Sequence, residues 1–86
     1  MRFMLTFTWK KPPGEEVMAV MPAEEARGRE LVEQGIAEEA EIAADQSTYW
    51  TVWNCASEGE VQEVLRTLPM YNFVNVDVTP LAPKER

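Results

Sequence analysis

The chain has 86 residues, with fifteen acidic and eight basic side chains and a formal net charge of −7. This balance disfavours nucleic acid and membranes as partners, because phosphate binding requires clustered Lys and Arg, and Lys10-Lys11 is an isolated basic pair. The lack of histidine and the single cysteine, Cys55, exclude an internal disulfide, a histidine-bound haem and histidine metal ligands. We therefore predict one cytoplasmic domain without a metal-binding signature.

The chain has many large apolar side chains for a domain this small: three Trp, three Phe, two Tyr and five Met. A chain of this length buries only about 60–65% of the surface that its unfolded form exposes. We therefore expect some of these side chains to contact a partner subunit or a ligand. Phe3–Trp9 is too short and too rich in threonine for a signal or membrane-spanning segment.

The first predicted strand runs from Arg2 to Lys10 and alternates between two faces. One face carries Phe3, Leu5, Phe7 and Trp9, and the other carries Met4, Thr6 and Thr8. Since both faces are largely apolar, we expect both to be covered. Strong breakers at residues 11–14 end the strand.

Two helical segments are predicted next. Two glutamates suit the first turn of a short helix, Glu15–Met21, because acidic groups favour the positive end of the helix dipole. Proline suits the first position of a main helix, Pro22–Gln34. Gly35 then supplies the left-handed residue that ends this helix.

The middle of the chain is predicted to form two neighbouring strands. Ile36–Ala44 is interpreted as an edge strand, since its three glutamates would prevent unwanted pairing with other chains. Residues 45–47 make a turn, and Thr48–Cys55 is a strand rich in Tyr, Trp, Thr and Val.

The last third of the chain carries the sharpest local signals. Ser57 and Glu60 form a capping box, so a helix starts there, and Pro69 ends it. Val74–Thr79 alternates valines with polar residues, which is the period of a half-buried strand.

The order strand, helix, strand, strand, helix, strand is the split βαβ pattern of ferredoxin-like α+β domains. Helices cover one face of the antiparallel sheet in this pattern, and two subunits can place their bare faces together to form a dimeric α+β barrel. We predict one such βαββαβ domain over residues 1–82 and a flexible tail over residues 83–86. A homodimer is expected, with higher oligomers left open.

The end of this chain resembles the end of muconolactone isomerase-like proteins. The resemblance rests on the helix from Ser57, the turn Leu68-Pro69-Met70-Tyr71-Asn72-Phe73, the closing strand and Leu81. The resemblance is strongest from Trp50 to Leu81. It implies a dimeric α+β barrel that shifts a proton along a small unsaturated lactone through an enolate-like species. That chemistry requires a base and an electropositive group near the developing oxyanion, and it implies no metal or organic cofactor.

The resemblance is weaker in the second strand. The family carries a tryptophan-, arginine- and histidine-containing stretch there, whereas Ile36–Ala44 has none of these residue types. No catalytic residue is therefore carried over from that stretch.

Two carboxylates are candidate catalytic bases, because a crowded Asp or Glu can have its pKa raised toward neutrality. Asp77 alternates with the core valines and so lies opposite the helices, with Asn75 on the same face to orient a substrate. Glu30 lies near Arg27, which can bind a substrate carboxylate. The alternatives are a solvated acid for Asp77 and an exposed i,i+3 pair for Glu30.

Aromatic side chains are the other candidate substrate contacts, since flat rings line pockets and a phenol can donate to an enolate oxygen. These candidates are Tyr49, Trp53 and Tyr71. The alternative is ordinary packing in the core or at a dimer interface. The remaining glutamates, Glu15, Glu16, Glu24, Glu25 and those of the second strand, are interpreted as solubilising surface.

Three functions follow from these patterns. The first is a cofactor-independent isomerase or cyclase acting on a small oxygenated ring. The second is a cofactor-free monooxygenase of phenolic substrates, in which Asn54 or Asn75 would bind the activated substrate. The third is a non-catalytic small-molecule-binding or assembly module.

Overall fold

The computed structural model describes residues 1–83 and, for Glu39, the backbone alone. The strands are β1 (Arg2–Trp9), β2 (Ala37–Ile42), β3 (Thr48–Asn54) and β4 (Val74–Pro80). The α-helices are α1 (Glu15–Glu33) and α2 (Glu58–Leu65), and a short 3-10 helix, Tyr71–Phe73, precedes β4. The last three residues of the predicted tail lie outside the described residues.

The four strands form one antiparallel sheet in the order β2-β3-β1-β4. This confirms the predicted ferredoxin-like α+β fold and places β2 at an edge. Phe7 of β1 stands opposite Tyr49 of β3 on one side and Val76 of β4 on the other. These three residues therefore share one row on the face of the sheet that the helices cover.

The core lies between this face and the helices. Its buried cluster consists of Phe3, Leu5, Phe7, Leu31, Trp53, Cys55, Val61, Leu65 and Leu68. β1 contributes three alternate residues to it, and alternate valines of β4 pack against it, which is the expected result of period-2 patterning. Among the described residues, no helix is long and apolar enough to cross a membrane.

The opposite side of the sheet, here called the open face, carries the other set of alternating residues. Thr6 lies between Trp50 and Asp77 in one row, and Met4 lies between Val52 and Thr79 in the next. Trp50 is 37% exposed, and Asp77 is exposed. A cover over this face, and with it the dimer, stays a prediction.

The first helix differs from its prediction. α1 is continuous through Pro22, which does not start a second helix. The proline removes one backbone donor within the helix, a loss that the surrounding hydrogen bonds and the burial of Val17 and Leu31 outweigh. β2 is also shorter than predicted, since residues 43 and 44 belong to the turn.

The predicted end of α1 and start of α2 are confirmed, whereas α2 ends at Leu65, four residues before Pro69. Gly35 has a φ of +78°, and its N–H and that of Ile36 donate to the carbonyls of Val32 and Leu31, which closes α1 with a Schellman motif. At the start of α2, the Ser57 hydroxyl accepts from the N–H of Glu60 at 3.2 Å. The Glu60 carboxylate reaches back to the N–H of Ala56, one residue before the usual partner in a capping box.

Candidate active site

A half-buried carboxylate on α1 defines the site. Glu24 lies midway between the two buried residues of the helix, Val17 and Leu31, at a spacing of seven residues from each. Seven residues are close to two helical turns, so all three side chains lie on the same stripe. Glu24 Oε1 accepts a hydrogen bond of 3.0 Å from the backbone N–H of Met70. The carboxylate is thereby fixed between α1 and the turn that precedes β4.

Burial raises the pKa of the Glu24 carboxyl above its ordinary value, and the hydrogen bond from Met70 opposes this rise only in part. A carboxylate with a raised pKa is, once ionised, a stronger base than an exposed one. Glu24 is therefore suited to take a proton from carbon.

A phenol lies within the electrostatic reach of this carboxylate. Burial raises the pKa of the Tyr49 hydroxyl, and the negative charge of Glu24 raises it further. The hydroxyl therefore stays protonated well above neutral pH and is available as a hydrogen-bond donor. A base and a neutral donor are the two groups that enolate chemistry requires.

The sheet holds the Tyr49 ring in place. It meets the ring of Phe7 edge-on, with the centroids 5.5 Å apart and the planes at 70°. Tyr49 is nevertheless 39% exposed, and Ile42, opposite it on β2, is 62% exposed. The end of the sheet at Ile42 and Tyr49 is therefore partly open to solvent.

Arg27 and Glu30, the predicted pair on α1, contact each other. Arg27 Nη1 lies 3.1 Å from Glu30 Oε1, and Arg27 Nε donates to the Thr67 hydroxyl at 3.0 Å. Thr67 in turn donates to the carbonyl of Val64 at 2.6 Å. Arg27 therefore ties α1 to the end of α2, as Glu24 ties it to Met70, while the Glu30 side chain is mostly exposed.

The other predicted site residues are dispersed. Trp53 is 2% exposed in the core, between sheet and helices. Asp77 and Asn75 are exposed on the open face, and the sheet separates them from Glu24. Tyr71 packs against the edge of the core on the β4 side. The substrate-binding or catalytic roles of these residues stay predictions.

The sequence interpretation of Glu24 as solubilising surface is wrong in structural terms, since the side chain is half-buried. A signal was present in the spacing of Val17, Glu24 and Leu31, which puts an acid on the apolar stripe of α1. The alanine and glutamate residues on both sides of Glu24 make this apolar stripe difficult to recognise in the sequence.

The prediction that Glu38 is only solubilising surface is also wrong. Glu38 of β2 forms a two-pronged ion pair with Arg2, at 3.0 and 3.1 Å, and accepts from the Asn54 amide at 3.0 Å. This cluster ties three strands together at the edge of the sheet.

Neither a metal site nor a thiol nucleophile is apparent in the described part of the chain. Within residues 1–83, no group of three or more Cys, Asp or Glu side chains is arranged to hold a metal ion. Burial raises the pKa of the Cys55 thiol to about 11, with the nearby Glu60 carboxylate adding to the rise. A thiol in that state is almost entirely protonated at neutral pH and is a poor nucleophile.

The strand order, the antiparallel pairing and two helices on one face define an α+β domain of the ferredoxin-like class. The chain belongs to the muconolactone delta-isomerase family, whose model matches residues 1–85. This confirms the resemblance seen in the last third of the sequence and extends it over the whole domain.

Two solved structures show the same fold. The chain superimposes on the crystal structure of muconolactone isomerase with a TM-score of 0.83 and 18% identity, covering 98% of this chain and 91% of that one. It also matches 5-chloro-2-hydroxyhydroquinone dehydrochlorinase from Burkholderia phenoliruptrix AC1100, in complex with 2,5-dihydroxybenzoquinone. That match has a TM-score of 0.74 and 14% identity and covers 95% of this chain and 94% of that one. Among curated proteins, none matches the sequence significantly.

Proposed function

We propose that the protein is a cofactor-independent isomerase that moves a proton between two carbons of a small unsaturated lactone or a similar oxygenated ring. The observation that carries the proposal is the half-buried Glu24 carboxylate, which Met70 N–H holds at 3.0 Å and whose charge acts on the Tyr49 phenol. Membership in the muconolactone delta-isomerase family supports the same class of reaction. The enzyme would act in the cytoplasm.

The proposed reaction begins with Glu24 as a base. Met70 N–H holds Oε1, and Oε2 has no hydrogen-bond partner among the described residues. Oε2 takes a proton from a ring carbon next to the conjugated system, the C–H bond breaks, and its electron pair moves onto the lactone carbonyl oxygen. The same carboxyl then returns the proton to another carbon of the conjugated system, which restores the carbonyl and leaves Glu24 ionised.

Tyr49 is proposed to stabilise the intermediate. Its hydroxyl donates a hydrogen bond to the enolate oxygen, where negative charge develops. Since its pKa is raised, the phenol keeps its proton and does not compete with Glu24 for the role of base. The exposed end of the site, at Ile42 and Tyr49, gives the substrate an entrance.

The earlier candidates Glu30 and Asp77 serve as comparisons for Glu24. Glu30 is paired with Arg27, and Asp77 is exposed on the open face, so neither is desolvated as Glu24 is. Burial makes a carboxylate a stronger base toward carbon acids, and of these three only Glu24 is half-buried with a backbone donor on one oxygen. The geometry therefore favours Glu24 over both.

The test is an ultraviolet assay of muconolactone isomerisation with a set of single-charge variants. We expect Glu24→Gln to lower kcat by about 10²- to 10⁴-fold, the usual contribution of a general base. Glu25→Gln removes the same charge from the exposed neighbour on α1 and should keep kcat within about twofold of the parent. Full activity in Glu24→Gln, with loss in Glu30→Gln or Asp77→Asn, would move the base to that residue.

Absence of turnover in the parent protein would redirect the proposal. Oxygen consumption with a phenolic substrate would then favour the monooxygenase. Saturable binding of the lactone without turnover would favour the small-molecule-binding module.

We also propose that two copies pair through the open face, where Trp50 and Val52 are partly exposed beside Met4. Sedimentation equilibrium should give a dimer for the parent and a shift toward monomer for Val52→Asp. A monomeric parent would remove this part of the proposal.

A further inference from the structure

Trp9 is a large side chain on the helix-covered face of the sheet that the core does not absorb. Phe3, Leu5 and Phe7 precede it at alternate positions of β1, and all three belong to the buried cluster. Trp9 is only half-buried, and in the described part of the chain it is neither in that cluster nor packed against it. Its ring is therefore available for a contact outside the core.

The indole is nevertheless held in one place. Its Nε1–H donates to the backbone carbonyl of Gln46 at 3.2 Å. Gln46 has a φ of +63° in the hairpin between β2 and β3, and its N–H donates to the Ala43 carbonyl at 2.8 Å. The Asp45 carboxylate accepts from the N–H and the hydroxyl of Ser47 at 3.0 and 2.6 Å. These bonds fix the hairpin, and the hairpin fixes the orientation of the indole.

This position is next to the Tyr49 phenol. Tyr49 stands opposite Phe7, and Trp9 follows Phe7 by two residues on the same face. Trp9 and Tyr49 are thus diagonal neighbours, whose Cβ atoms are about 7–8 Å apart and within reach of aromatic side chains. The bond to Gln46 draws the indole from β1 toward the β2–β3 hairpin. The ring therefore lies at the end of the sheet where Tyr49 and Ile42 are exposed.

The other side of Tyr49 is apolar because of a bulge in β2. Ala37 pairs with Trp53 and Ala40 with Thr51, so β2 carries one extra residue between these pairs. The extra residue shifts the alternation and puts Ile42, opposite Tyr49, on the helix-covered face. Glu41 is thereby turned to the open face. The phenol is therefore flanked by two apolar side chains and by no carboxylate of β2.

We propose that Trp9 is a specificity-determining residue of the Glu24–Tyr49 site, an inference that rests on the proposed function. The flat face of the indole packs on the unsaturated ring of the substrate while Tyr49 donates to its oxygen. The hydrogen bond to Gln46 keeps the indole from turning away, so the wall is rigid. A ring substituent that projects toward the hairpin is excluded, and Trp9 takes no part in the proton transfer.

The test compares kcat/KM for muconolactone with kcat/KM for muconolactones methylated at single ring carbons. Trp9→Leu should shift at least one of these ratios at least tenfold toward the methylated substrate, since the fit of a single methyl-sized group changes rates about 10- to 200-fold. Trp9→Phe, which keeps a ring but loses the bond to Gln46, should give a smaller shift. A ratio of two kcat/KM values is independent of any loss of folded enzyme.

Trp50→Leu is the matched control, because it makes the same change on the open face. Its ratios should stay within about twofold of the parent, since side chains on opposite faces of a sheet do not share a pocket. Unchanged ratios in Trp9→Leu, or equal shifts in the two variants, would overturn the assignment of Trp9.

The indole N–H signals give a readout that does not require turnover. The three tryptophans should give three such signals in ¹H–¹⁵N spectra, and Trp9→Phe identifies that of Trp9. Muconolactone added to Glu24→Gln should shift the Trp9 signal saturably and leave the Trp50 signal in place. A saturable shift without turnover in the parent would support the wall and remove the isomerase. Turnover with an unmoved Trp9 signal would overturn the wall and leave the isomerase intact.

Discussion

Glu24 and Met70 lie 46 residues apart in the chain, and a hydrogen bond of 3.0 Å joins the Glu24 carboxylate to the backbone N–H of Met70. The contact fixes one carboxylate oxygen and orients the other. Arg27, one turn further along α1, contacts Thr67 in the same segment. The helix and the turn before β4 therefore hold the proposed base from two sides.

The pH dependence of kcat/KM should report the raised pKa of Glu24. The carboxylate is the active form, so activity falls as the pH drops through this pKa, at a higher pH than an ordinary glutamate would give. On the alkaline side the rate should fall only at a higher pH than an ordinary tyrosine would give, because the pKa of Tyr49 is also raised. An acid limb at the ordinary glutamate pKa of about 4.3 would contradict a desolvated base.

Removal of the Tyr49 hydroxyl should slow turnover without damaging the fold. Tyr49→Phe keeps the ring on Phe7 and should lower kcat by about 10²-fold, the lower end of the range for an oxyanion donor, since the site is partly open. Tyr71→Phe removes the other phenol of the chain, and a larger loss of kcat in that variant would assign the donor to Tyr71 instead. A change in KM alone for Tyr49→Phe would assign the phenol to substrate binding.

The stability of Glu24→Gln should depend on pH relative to the parent. Because the folded pKa of Glu24 lies above its unfolded value, the parent binds more protons when folded, and its stability decreases as the pH rises between the two values. The uncharged glutamine avoids this cost and can still accept from Met70. Urea unfolding should therefore show the variant at an advantage at pH 7 that shrinks toward pH 4, and a constant difference would exclude the raised pKa.

Two glycines of the α1 region should respond to alanine with opposite signs. Gly35→Ala should lower the free energy of unfolding by about 1–2 kcal/mol, because its φ of +78° is strained for residues with a Cβ. Gly28→Ala should raise it by about 0.5–1 kcal/mol, because Gly28 is inside α1 and an added Cβ meets no atom within 4 Å. Thermal denaturation of both variants measures these changes in the free energy of unfolding. Destabilisation by Gly28→Ala would reveal a contact formed with a partner.

Local patterns predicted the elements that depend on neighbouring residues. Ser57 caps α2 because its hydroxyl reaches a donor three residues later, and Gly35 ends α1 because its backbone alone adopts the required φ without strain. In β1 and β4, the alternation of residue types predicted which side chains lie on each face of the sheet. This prediction is also local, because side chains of a strand alternate between the two faces whatever covers them.

Pro22 shows where local rules fail. A proline is common at the start of a helix, so the local rule divides the segment at Pro22, although the seven-residue spacing of Val17, Glu24 and Leu31 runs through it. Burial of Val17 and Leu31 at opposite ends of α1 makes the continuous helix favourable despite the missing donor. Tertiary packing, which the local pattern does not contain, decided the outcome.

The sequence by itself determined the order of elements, the capped helix ends and the two faces of the strands, because each follows from residues close together in the chain. Only the tertiary structure decided which carboxylate is desolvated. Glu24 differs little from Glu25 in sequence, and what distinguishes it is the turn at Met70, which supplies a donor and excludes water once β4 has joined the sheet. Desolvation depends on the surroundings in space, and those surroundings are assembled from distant parts of the chain.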